Sequence, residues 1–373
     1  MARLPVGFTK RKDGRLMLSF TLDGKRYQVY GHTVAECREK ELEKRQRILE
    51  GLTSNDNITL RKYYKDWQDS RRNSVKPSTI YTQDRRFNYI DKAIGSKKIV
   101  DISQADVIDL QKKLSKKLTP AGTNHVIDLL KSVLNGAVYA RIINWNPCNG
   151  VRRVKLQEVR NNDTDNHRCI PESDLKLFFE YGKESYYLEY FQMLYHTGMR
   201  SGELAALAWS DIDYKNELIH ITKTVTRVGD NEHIITTPKT RDSIRDIELT
   251  PSVRQILLTW RMKYTALHGN VINMDNRIFP ASNGKGYVTA QNLCPVIKAI
   301  LKRVEEETGH HIPHFSPHAF RDSYATQFIN QGGGVEVLAR LLGHTDIKIT
   351  MNKYVKPNRE MVQNEVKKIS LVM

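Results

Sequence analysis

Two stretches with few apolar residues interrupt this chain, GLTSNDN at residues 51–57 and EVRNNDTDNH at residues 158–167. Their Gly, Ser, Asn and Asp residues favour turns and loops over packed helices and strands. Because a hydrophobic core does not continue through such stretches, we predict three units, at residues 1–52, 57–155 and 165–373. A chain of 373 residues is long enough for each unit to bury a core of its own.

The first unit carries the pattern of a small antiparallel sheet followed by a helix. Apolar residues recur at every second position of RLMLSFTL (15–22), which is typical of a strand with one buried face. Asp-Gly pairs at 13–14 and 23–24 predict turns on both sides of that strand. Thr33, with Glu36 three residues later, predicts a capped helix after the sheet.

The second unit shows the spacing of amphipathic helices. Apolar residues recur three and four positions apart within residues 60–67 and again within residues 126–138. Ser103 is placed to cap a further helix between these two. We predict a module of four or five helices with a basic face, in which Tyr63, Tyr64 and Trp67 belong to the core and do not form a base-stacking surface.

The third unit has a mixed pattern. Helices are predicted at 175–181 and 188–196, strands in ELIHITKTV, EHIITT and RDIEL, and mostly helix after them. The predicted fold class is therefore multidomain and mainly α with small β-sheets (α+β). It combines a three-stranded sheet plus helix, an all-helical module and a mixed α/β unit.

Positive charge is concentrated in the first two units. Residues 1–160 hold 33 Lys and Arg against 17 Asp and Glu, whereas residues 161–373 hold 26 against 25, and the whole chain carries +17. Such a field attracts polyanions, and nucleic acid is the expected partner. A surface that only aids solubility is the alternative from charge alone. A membrane partner is not expected, because no strongly amphipathic basic anchor is present.

The cysteines and the apolar runs bear on the compartment. The four cysteines lie far apart with no Cys-x-x-Cys pair, which indicates neither a zinc site nor a disulfide framework. No apolar run has the length of a membrane span, and the N-terminus lacks a secretory hydrophobic region. We expect a cytoplasmic protein.

Basic residues near the predicted turns and after the first helical stripe are candidate DNA contacts. They are Lys10, Arg11, Lys12, Arg15, Lys25, Arg26, Arg71, Arg72 and Lys76. A small sheet of this kind can lie in a DNA groove. For the first six of these residues, a solvated hairpin face is an equally good explanation.

Polar residues of the third unit raise the question of a shared target. His318 and Arg321, three apart in SPHAFRDSYATQF, lie on one face of a predicted helix. On its own, such a pair is most simply a surface pair. Arg200, in HTGMRSGELAAL, begins another predicted helix, where free N–H groups and the helix dipole suit an anion. Glu203 is placed one turn on to hold the Arg200 guanidinium.

Three more residues follow in the same region. Lys239 lies in TTPKTRDSIRDI, between two strands that we predict to form a hairpin, His344 lies in LLGHTD, and Tyr354 follows ten residues later. The ordered motifs T-G-x-R-x-x-E-L, hairpin Lys, H-x-x-R, L-G-H and T-x-x-x-Y resemble the signature of the tyrosine recombinases, the phage-type integrases. They span residues 197–354. The chain departs from the family pattern at Ala319-Phe320, where x-Leu is frequent, and at Asp322, where His is common.

The resemblance implies a catalytic centre for a DNA phosphodiester. Arg200 and Arg321 would hold the non-bridging oxygens, on which negative charge spreads in the transition state. His318 would donate to the phosphate or shuttle the proton of the nucleophile. His344 would hydrogen-bond an oxygen as charge develops.

The resemblance also implies a covalent mechanism. Tyr354 would attack the phosphate, form a 3′-phosphotyrosyl link and expel a 5′-hydroxyl, with Lys239 as the general acid. A phenol has a pKa near 10, and we expect the surrounding cations to lower the pKa of Tyr354. The ester conserves the bond energy, so a second strand can reverse the step without ATP, a metal ion or another cofactor.

The likeness extends to the other units and to partners. Residues 58–150 resemble a core-binding domain, and residues 8–50 resemble the arm-binding domain of phage and conjugative-transposon integrases. This implies an integrase of a mobile element, either a prophage or a conjugative transposon, acting on double-stranded DNA at core-type and arm-type attachment sites. It implies a tetramer on DNA and leaves open an excisionase or a host DNA-bending protein. An apolar stripe after residue 360 implies a tail helix that docks on a neighbouring subunit or on its own domain.

Two other functions remain open. A type IB topoisomerase resembles the same site but rejoins the original strands, and it does not require a separate basic unit such as 1–52. A DNA-binding regulator with a silent catalytic fold is the second alternative, which the six matching positions disfavour. Chromosome-dimer resolution is less favoured than integration, because those recombinases usually lack a domain like residues 1–50.

Overall fold

The structure is a computed structural model of the chain. It describes residues 4–52, 57–155, 169–238, 240–269, 277–282 and 286–354. The chain divides into two compact units, Met1–Arg160 and Asn161–Met373. The predicted mainly α architecture with small sheets is confirmed. None of the described helices combines the length and the apolar character that a membrane crossing requires.

The first compact unit begins with a three-stranded antiparallel sheet of order β1-β2-β3 and a helix. These elements are β1 (Phe8–Lys10), β2 (Leu16–Leu22), β3 (Lys25–Gly31) and α1 (Val34–Leu49). Asp23 and Gly24 join β2 to β3 with φ angles of 49° and 74°, which suit a tight hairpin turn. Thr33 accepts the N–H of Glu36 and so caps α1, while the Glu36 carboxylate accepts the N–H of His32.

One face of this sheet forms a small core with α1. Leu16, Leu18 and Phe20 of β2 point to the same side as Val29 of β3, and all four are buried together with Cys37 of α1. The register pairs Leu18 with Val29. On the opposite face of β2, Met17 and Ser19 are half-buried and Thr21 is exposed, so burial alternates along the strand as the sequence predicts.

Four α-helices follow among the described residues of the first compact unit. They are α2 (Leu60–Arg71), α3 (Pro77–Ile94), α4 (Gln104–Ser115) and α5 (Pro120–Tyr139). Ser103 caps α4 in a capping box with Asp106. The rings of Tyr64 and Phe87 stack inside the core at a centroid distance of 3.6 Å. Tyr63, Tyr64 and Phe87 thus serve the core of this module, whereas Tyr89, Tyr139 and Trp145 are exposed.

The second compact unit places helices around two small sheets. Its helices are α6 (Glu172–Tyr181), α7 (Leu188–Thr197), α8 (Ser201–Ala206), α9 (Pro251–His268), α10 (Ala290–Thr308), α11 (His318–Asn330), α12 (Val335–Leu342) and α13 (Ile347–Tyr354). Its strands are β4 (Ile212–Asp213), β5 (Leu218–Ile221), β6 (Thr224–Arg227), β7 (His233–Thr236) and β8 (Arg245–Glu248).

The strand pairing corrects the predicted hairpin around Lys239. β7 pairs with β6, whereas β8 pairs with β5 in a sheet of order β4-β5-β8. The segment between β7 and β8 therefore connects two sheets and is not a hairpin tip. The hairpin prediction failed because Ile247 of β8 finds an apolar partner in Ile219 of β5, an earlier strand. Lys239 itself lies outside the described residues.

An aromatic cluster fixes the start of α11. Phe320 has no exposed surface, and its ring lies 5.4 Å from the rings of both Phe178 and Phe191. Phe315, just before the helix, also contacts Phe320. Because these rings lock the first turn of α11, the neighbouring residue Arg321 projects from a rigid support. The substitution of Phe for the frequent Leu is thus accommodated in the core.

Candidate active site

Arg321 is the most deeply buried cation of the candidate site, with 1% of its surface exposed. Its Nη1 donates to the carbonyl of Gly198 at 2.9 Å, and its Nη2 donates to the carbonyl of Leu342 at 2.6 Å. Burial and the nearby positive charge of Arg200 lower the pKa of Arg321 to about 9. The guanidinium therefore remains charged at neutral pH.

Left-handed glycines turn the two helix ends toward Arg321. Gly198 ends α7 with φ 62°, and a Cβ added there would lie 2.4 Å from a ring carbon of Tyr324. Gly343 ends α12 with φ 63°. Only glycine takes this conformation without strain, and the negative end of a helix dipole favours a cation. The T-G and L-G motifs thus have a direct structural reason.

Arg200 lies beside Arg321 at the N-terminus of α8. Its Nη1 donates to Glu203 at 2.8 Å, and its Nη2 donates to the carbonyl of Gly343 at 3.2 Å. Because the two guanidinium groups contact the adjacent carbonyls of Leu342 and Gly343, they lie close together. The side chain of Arg200 is 37% exposed, so it is the arginine that solvent and an incoming anion can reach.

Glu203 also accepts hydrogen bonds from a third arginine, Arg245, which no sequence motif indicated. Arg245 of β8 donates from Nη2 to Glu203 Oε2 at 2.9 Å and from Nη1 to Oε1 at 3.1 Å. Burial alone would raise the pKa of Glu203, but the hydrogen bond and charge of Arg245 and the charge of Arg200 outweigh it and lower that pKa. The strand pattern held a signal, since Arg245 is in phase with the buried Ile247.

His344 follows α12 and contacts Arg321. Nη2 of Arg321 lies 3.1 Å from His344 Nε2, and Nδ1 of His344 lies 2.8 Å from the hydroxyl of Thr350. Burial, together with the charges of Arg321 and Arg200, lowers the pKa of His344 to about 4. The ring is therefore neutral at pH 7, with Nε2 accepting from the guanidinium and Nδ1 donating to Thr350.

Tyr354 ends α13 with 7% of its surface exposed. Its hydroxyl donates to Oδ1 of Asp322 at 2.7 Å, and Nζ of Lys353 donates to the same oxygen at 2.7 Å. Burial and the Asp322 carboxylate raise the pKa of Tyr354 well above 10, against the smaller opposite effects of Arg321 and Arg200. The expectation that surrounding cations lower this pKa is wrong, because burial and the hydrogen-bonded carboxylate of Asp322 outweigh those cations.

The remaining candidates of the third unit differ in placement. His318 begins α11 with its side chain 48% exposed and with Nε2 3.8 Å from Asp322 Oδ1. Arg200, Arg321, His344 and Asp322 with Tyr354 are thus brought together, and His318 lies at the edge next to Asp322. Within the described ranges, no three His, Cys, Asp or Glu side chains are grouped to hold a metal ion.

The candidate DNA contacts of the first compact unit lie mostly at its surface. Lys10, Arg11, Lys12, Arg15, Lys25, Arg26, Arg72 and Lys76 are exposed. Arg15 is paired with Asp13 at 2.7 Å. Arg71 differs, because it is half-buried with its guanidinium 3.7 Å from the ring centroid of Trp67. Its guanidinium therefore makes a cation–π contact with Trp67 of the helical module.

The arrangement in the second compact unit suits a specific chemistry. Two adjacent guanidinium groups can hold one tetrahedral anion, and a phenol hydroxyl lies near them. No described residue of this set is a thiol or a serine nucleophile. Transfer of a phosphoryl group to a tyrosine is the reaction that these side chains can perform.

Comparison with known proteins supports that chemistry. The profile of the phage integrase family matches residues 172–361, and that of the phage integrase N-terminal SAM-like domain matches residues 59–115. A XerC-like tyrosine recombinase of Caldanaerobacter subterraneus subsp. tengcongensis is 26% identical, over 94% of this chain and 91% of that protein. The transposase of transposon Tn916 from Enterococcus faecalis is 23% identical, over 98% of this chain and 95% of that protein.

The fold is also found among solved structures. The Tn1549 transposon integrase, solved in complex with a circular intermediate DNA, superposes with a TM-score of 0.69 at 21% identity. The match covers 84% of this chain and 99% of that one. Since the phage integrase profile spans just over half of the chain, this protein belongs to the phage integrase family, the tyrosine recombinases, enzymes that bind DNA and break and rejoin its strands.

Proposed function

We propose that this tyrosine recombinase is the site-specific integrase of a mobile element, a prophage or a conjugative transposon, and that Tyr354 is its nucleophile. The observation that carries the proposal is the meeting of Arg200 and Arg321 on adjacent carbonyls, with His344 and Tyr354 beside them. Similarity to the Tn916 transposase along 98% of the chain supports a conjugative transposon as the host element.

The two arginines would hold the scissile phosphate. The side chain of Arg200 is partly exposed to solvent. Arg321, a residue of α11, is buried, and its guanidinium lies at the C-terminal end of α12. Backbone carbonyls already fix both arginines, and Glu203 also fixes Arg200, so little reorganisation is needed as charge grows on the non-bridging oxygens. His344, neutral at pH 7, would donate from Nε2 to one of those oxygens once its proton moves from Nδ1 to Nε2, with the Thr350 hydroxyl then donating to Nδ1 in place of the present contact between Nε2 and Arg321.

The phenol oxygen of Tyr354 would form a bond to phosphorus while the bond to the 5′-oxygen breaks. Lys239 would protonate the departing 5′-oxygen, and His318 would contact the phosphate. The resulting 3′-phosphotyrosyl ester keeps the bond energy of the phosphodiester. A 5′-hydroxyl from a partner strand can therefore reverse the step, and neither ATP nor a metal ion takes part in the proposed step.

The other regions would place the enzyme on its DNA. We assign residues 1–52 to arm-type sites, residues 57–155 to core-type sites and residues 165–373 to catalysis, in a cytoplasmic protein. Exposed cations on the sheet unit and a helical module matched by the SAM-like profile support this division. The active form would be a tetramer on DNA, aided by an excisionase or a host DNA-bending protein. The predicted tail helix lies outside the described residues.

The decisive experiment compares Tyr354→Phe with Tyr324→Phe on a nicked attachment-site substrate. Tyr324 is a second phenol of the catalytic unit, on α11, and serves as the matched control. We expect Tyr354→Phe to bind DNA with unchanged affinity yet give no covalent adduct, while Tyr324→Phe still forms one. An adduct from Tyr354→Phe would place the nucleophile elsewhere.

The alternatives give different products. Relaxation of supercoils in a plasmid with one site, without joining of two sites, would identify a topoisomerase. Specific DNA binding by the wild-type chain without any adduct would identify a silent regulator. Recombination between two sites is the outcome that our proposal requires.

A further inference from the structure

Asp322 occupies a position that neither family signature nor charge pattern explains. Its side chain is 3% exposed. One carboxylate oxygen, Oδ1, accepts from the hydroxyl of Tyr354 and from Nζ of Lys353, each at 2.7 Å. Nε2 of His318 lies 3.8 Å from the same oxygen. A carboxylate therefore lies next to the proposed nucleophile in a site otherwise built to attract an anion.

This placement is unfavourable for phosphate binding, which argues that the carboxylate takes part in catalysis. A buried negative charge requires partners, and it repels the phosphate that the site must bind. Lys353 offsets part of this charge, with its side chain 13% exposed. Arg321 and Arg200 face the same region from α11 and α8, and His344 faces it from the loop after α12. The site thus keeps net positive charge with Asp322 in place.

The geometry meets the requirement for a proton acceptor. A general base must lie within about 2.6–3.2 Å of the atom whose proton it takes. The contact between Tyr354 and Asp322 lies within this range, and the hydroxyl already points its proton at the carboxylate. Free phenolate is scarce in this environment, since burial and Asp322 raise the pKa of Tyr354. Proton transfer therefore has to accompany attack.

We propose that Asp322 is the general base of DNA cleavage and takes the proton of Tyr354 as its oxygen attacks phosphorus, an inference that rests on the proposed role of Tyr354. The O–H bond breaks, its proton moves to Oδ1 of Asp322, and the phenol oxygen bonds to phosphorus. The P–O5′ bond breaks, and the 5′-oxygen takes a proton from the Lys239 ammonium. In the rejoining step Asp322 returns its proton to the tyrosine.

The test measures single-turnover adduct formation at saturating DNA between pH 6 and 9.5. Asp322→Asn keeps the shape of the side chain but removes its basicity. We expect adduct formation about 10²-fold slower than wild type at pH 7, within the usual range for general base catalysis. The deficit should shrink by about tenfold per pH unit, because hydroxide replaces the missing base. Asp322→Glu, which restores a carboxylate, should recover the wild-type pH profile.

A matched control separates basicity from burial. Asp211 is also buried, accepts the N–H of Ala208 at 2.8 Å and pairs with Lys223 at 2.9 Å. Asp211→Asn should keep the wild-type pH profile. A substrate with sulfur in place of the bridging 5′-oxygen adds a second control, because thiolate leaves without a proton. The slow attack by Asp322→Asn should persist on that substrate.

Each outcome decides the inference. Equal or faster adduct formation by Asp322→Asn would overturn it, the faster case showing that the carboxylate only restrains the phenol. A deficit independent of pH, or one that vanishes with the sulfur substrate, would also overturn it. Failure of the proposed function is distinguishable, since wild type would then form no adduct through Tyr354. Near-ultraviolet and far-ultraviolet circular dichroism confirm that the variants compared are folded.

Discussion

The two compact units use positive charge in opposite ways. Met1–Arg160 carries nearly all of the excess, and its ion pairs lie at the surface, as in Lys62–Asp66 with side chains 64% and 47% exposed. Asn161–Met373 is almost neutral but buries its key arginine pair, Arg245–Glu203, with side chains 4% and 2% exposed. Abundant exposed charge can attract a polyanion, whereas in the proposed mechanism a few buried charges support the arginines that hold one phosphate.

The energetic consequences differ accordingly. Exposed pairs are screened by water and salt and contribute about 0–1 kcal/mol each. A buried pair repays its desolvation only when its geometry is good and its other polar atoms are hydrogen-bonded. Arg245 meets this condition, since it donates to both Glu203 oxygens and to the carbonyls of Ser243 and Leu341. This pair links β8, α8 and α12 behind the site.

The largest expected effect is therefore on the stability of the second unit. Arg245→Met leaves the Glu203 carboxylate buried with Arg200 as its remaining cation, which should lower the free energy of unfolding by about 3–5 kcal/mol. Arg254→Met is the matched control, because Arg254 pairs with Glu217 at 2.7 Å but is 38% exposed. Its cost should stay within about 1 kcal/mol. Urea unfolding, resolved into the transitions of the two units, measures both. Equal losses would erase the contrast between buried and exposed pairs.

The next prediction concerns function at the buried arginine. Arg321→Lys keeps a positive charge but replaces the planar guanidinium by one ammonium nitrogen. That nitrogen cannot occupy both positions from which Nη1 and Nη2 donate to Gly198 and Leu342 and also face a phosphate. We expect adduct formation about 10²–10³-fold slower, as for loss of one preorganised donor. DNA affinity should change little, because the bulk of the charge lies elsewhere. Arg340→Lys, at an exposed position of α12, should be silent. A large loss of affinity with unchanged cleavage would reverse the assigned roles.

Local sequence patterns predicted the secondary structure of several elements correctly but did not predict which strands pair. Alternation in RLMLSFTL fixed the buried face of β2, because period-two patterns report directly on the strand. Ser103 predicted its helix start for the same local reason. The hairpin around Lys239 was wrong, since the choice between β7 and β5 as neighbour of β8 depends on contacts distant in sequence.

In the candidate site too, the sequence identified individual residues but did not predict their contacts with residues distant in the chain. The motifs identified Arg200 and Arg321, and the structure brings them to adjacent carbonyls. The contact of Asp322 with Tyr354 joins residues 32 positions apart and depends on how α11 packs against α13. No local pattern encodes that distance, so the pKa of Tyr354 was expected to shift in the wrong direction. The pKa of a side chain depends on its burial and on the charged groups in contact with it, and tertiary packing determines both.

A third prediction tests the exposed charge of the first unit. Replacing Lys10, Lys12, Lys25 and Arg26 by Gln should reduce the slope of log Kobs against log salt by about 3.6, if each contacts one phosphate. The cleavage rate at saturating DNA should not change. The control replaces four exposed cations of the second unit, Lys183, Lys215, Lys298 and Lys302. An unchanged slope in the first variant would mean that its cations only solubilise the sheet.

The last prediction concerns the pH dependence of stability contributed by His344. Its folded pKa of about 4 lies below the unfolded value of 6.5, so the unfolded chain binds the proton first as pH falls. The contribution of His344 to stability is thus complete above pH 6.5 and is lost progressively toward pH 4. His344→Asn should show a shallower loss of stability over that interval in urea unfolding, and a constant difference from wild type between pH 7 and 8. An identical slope in both proteins would mean that burial and the charge of Arg321 do not hold His344 neutral, and the site would then tolerate one more positive charge than its geometry implies.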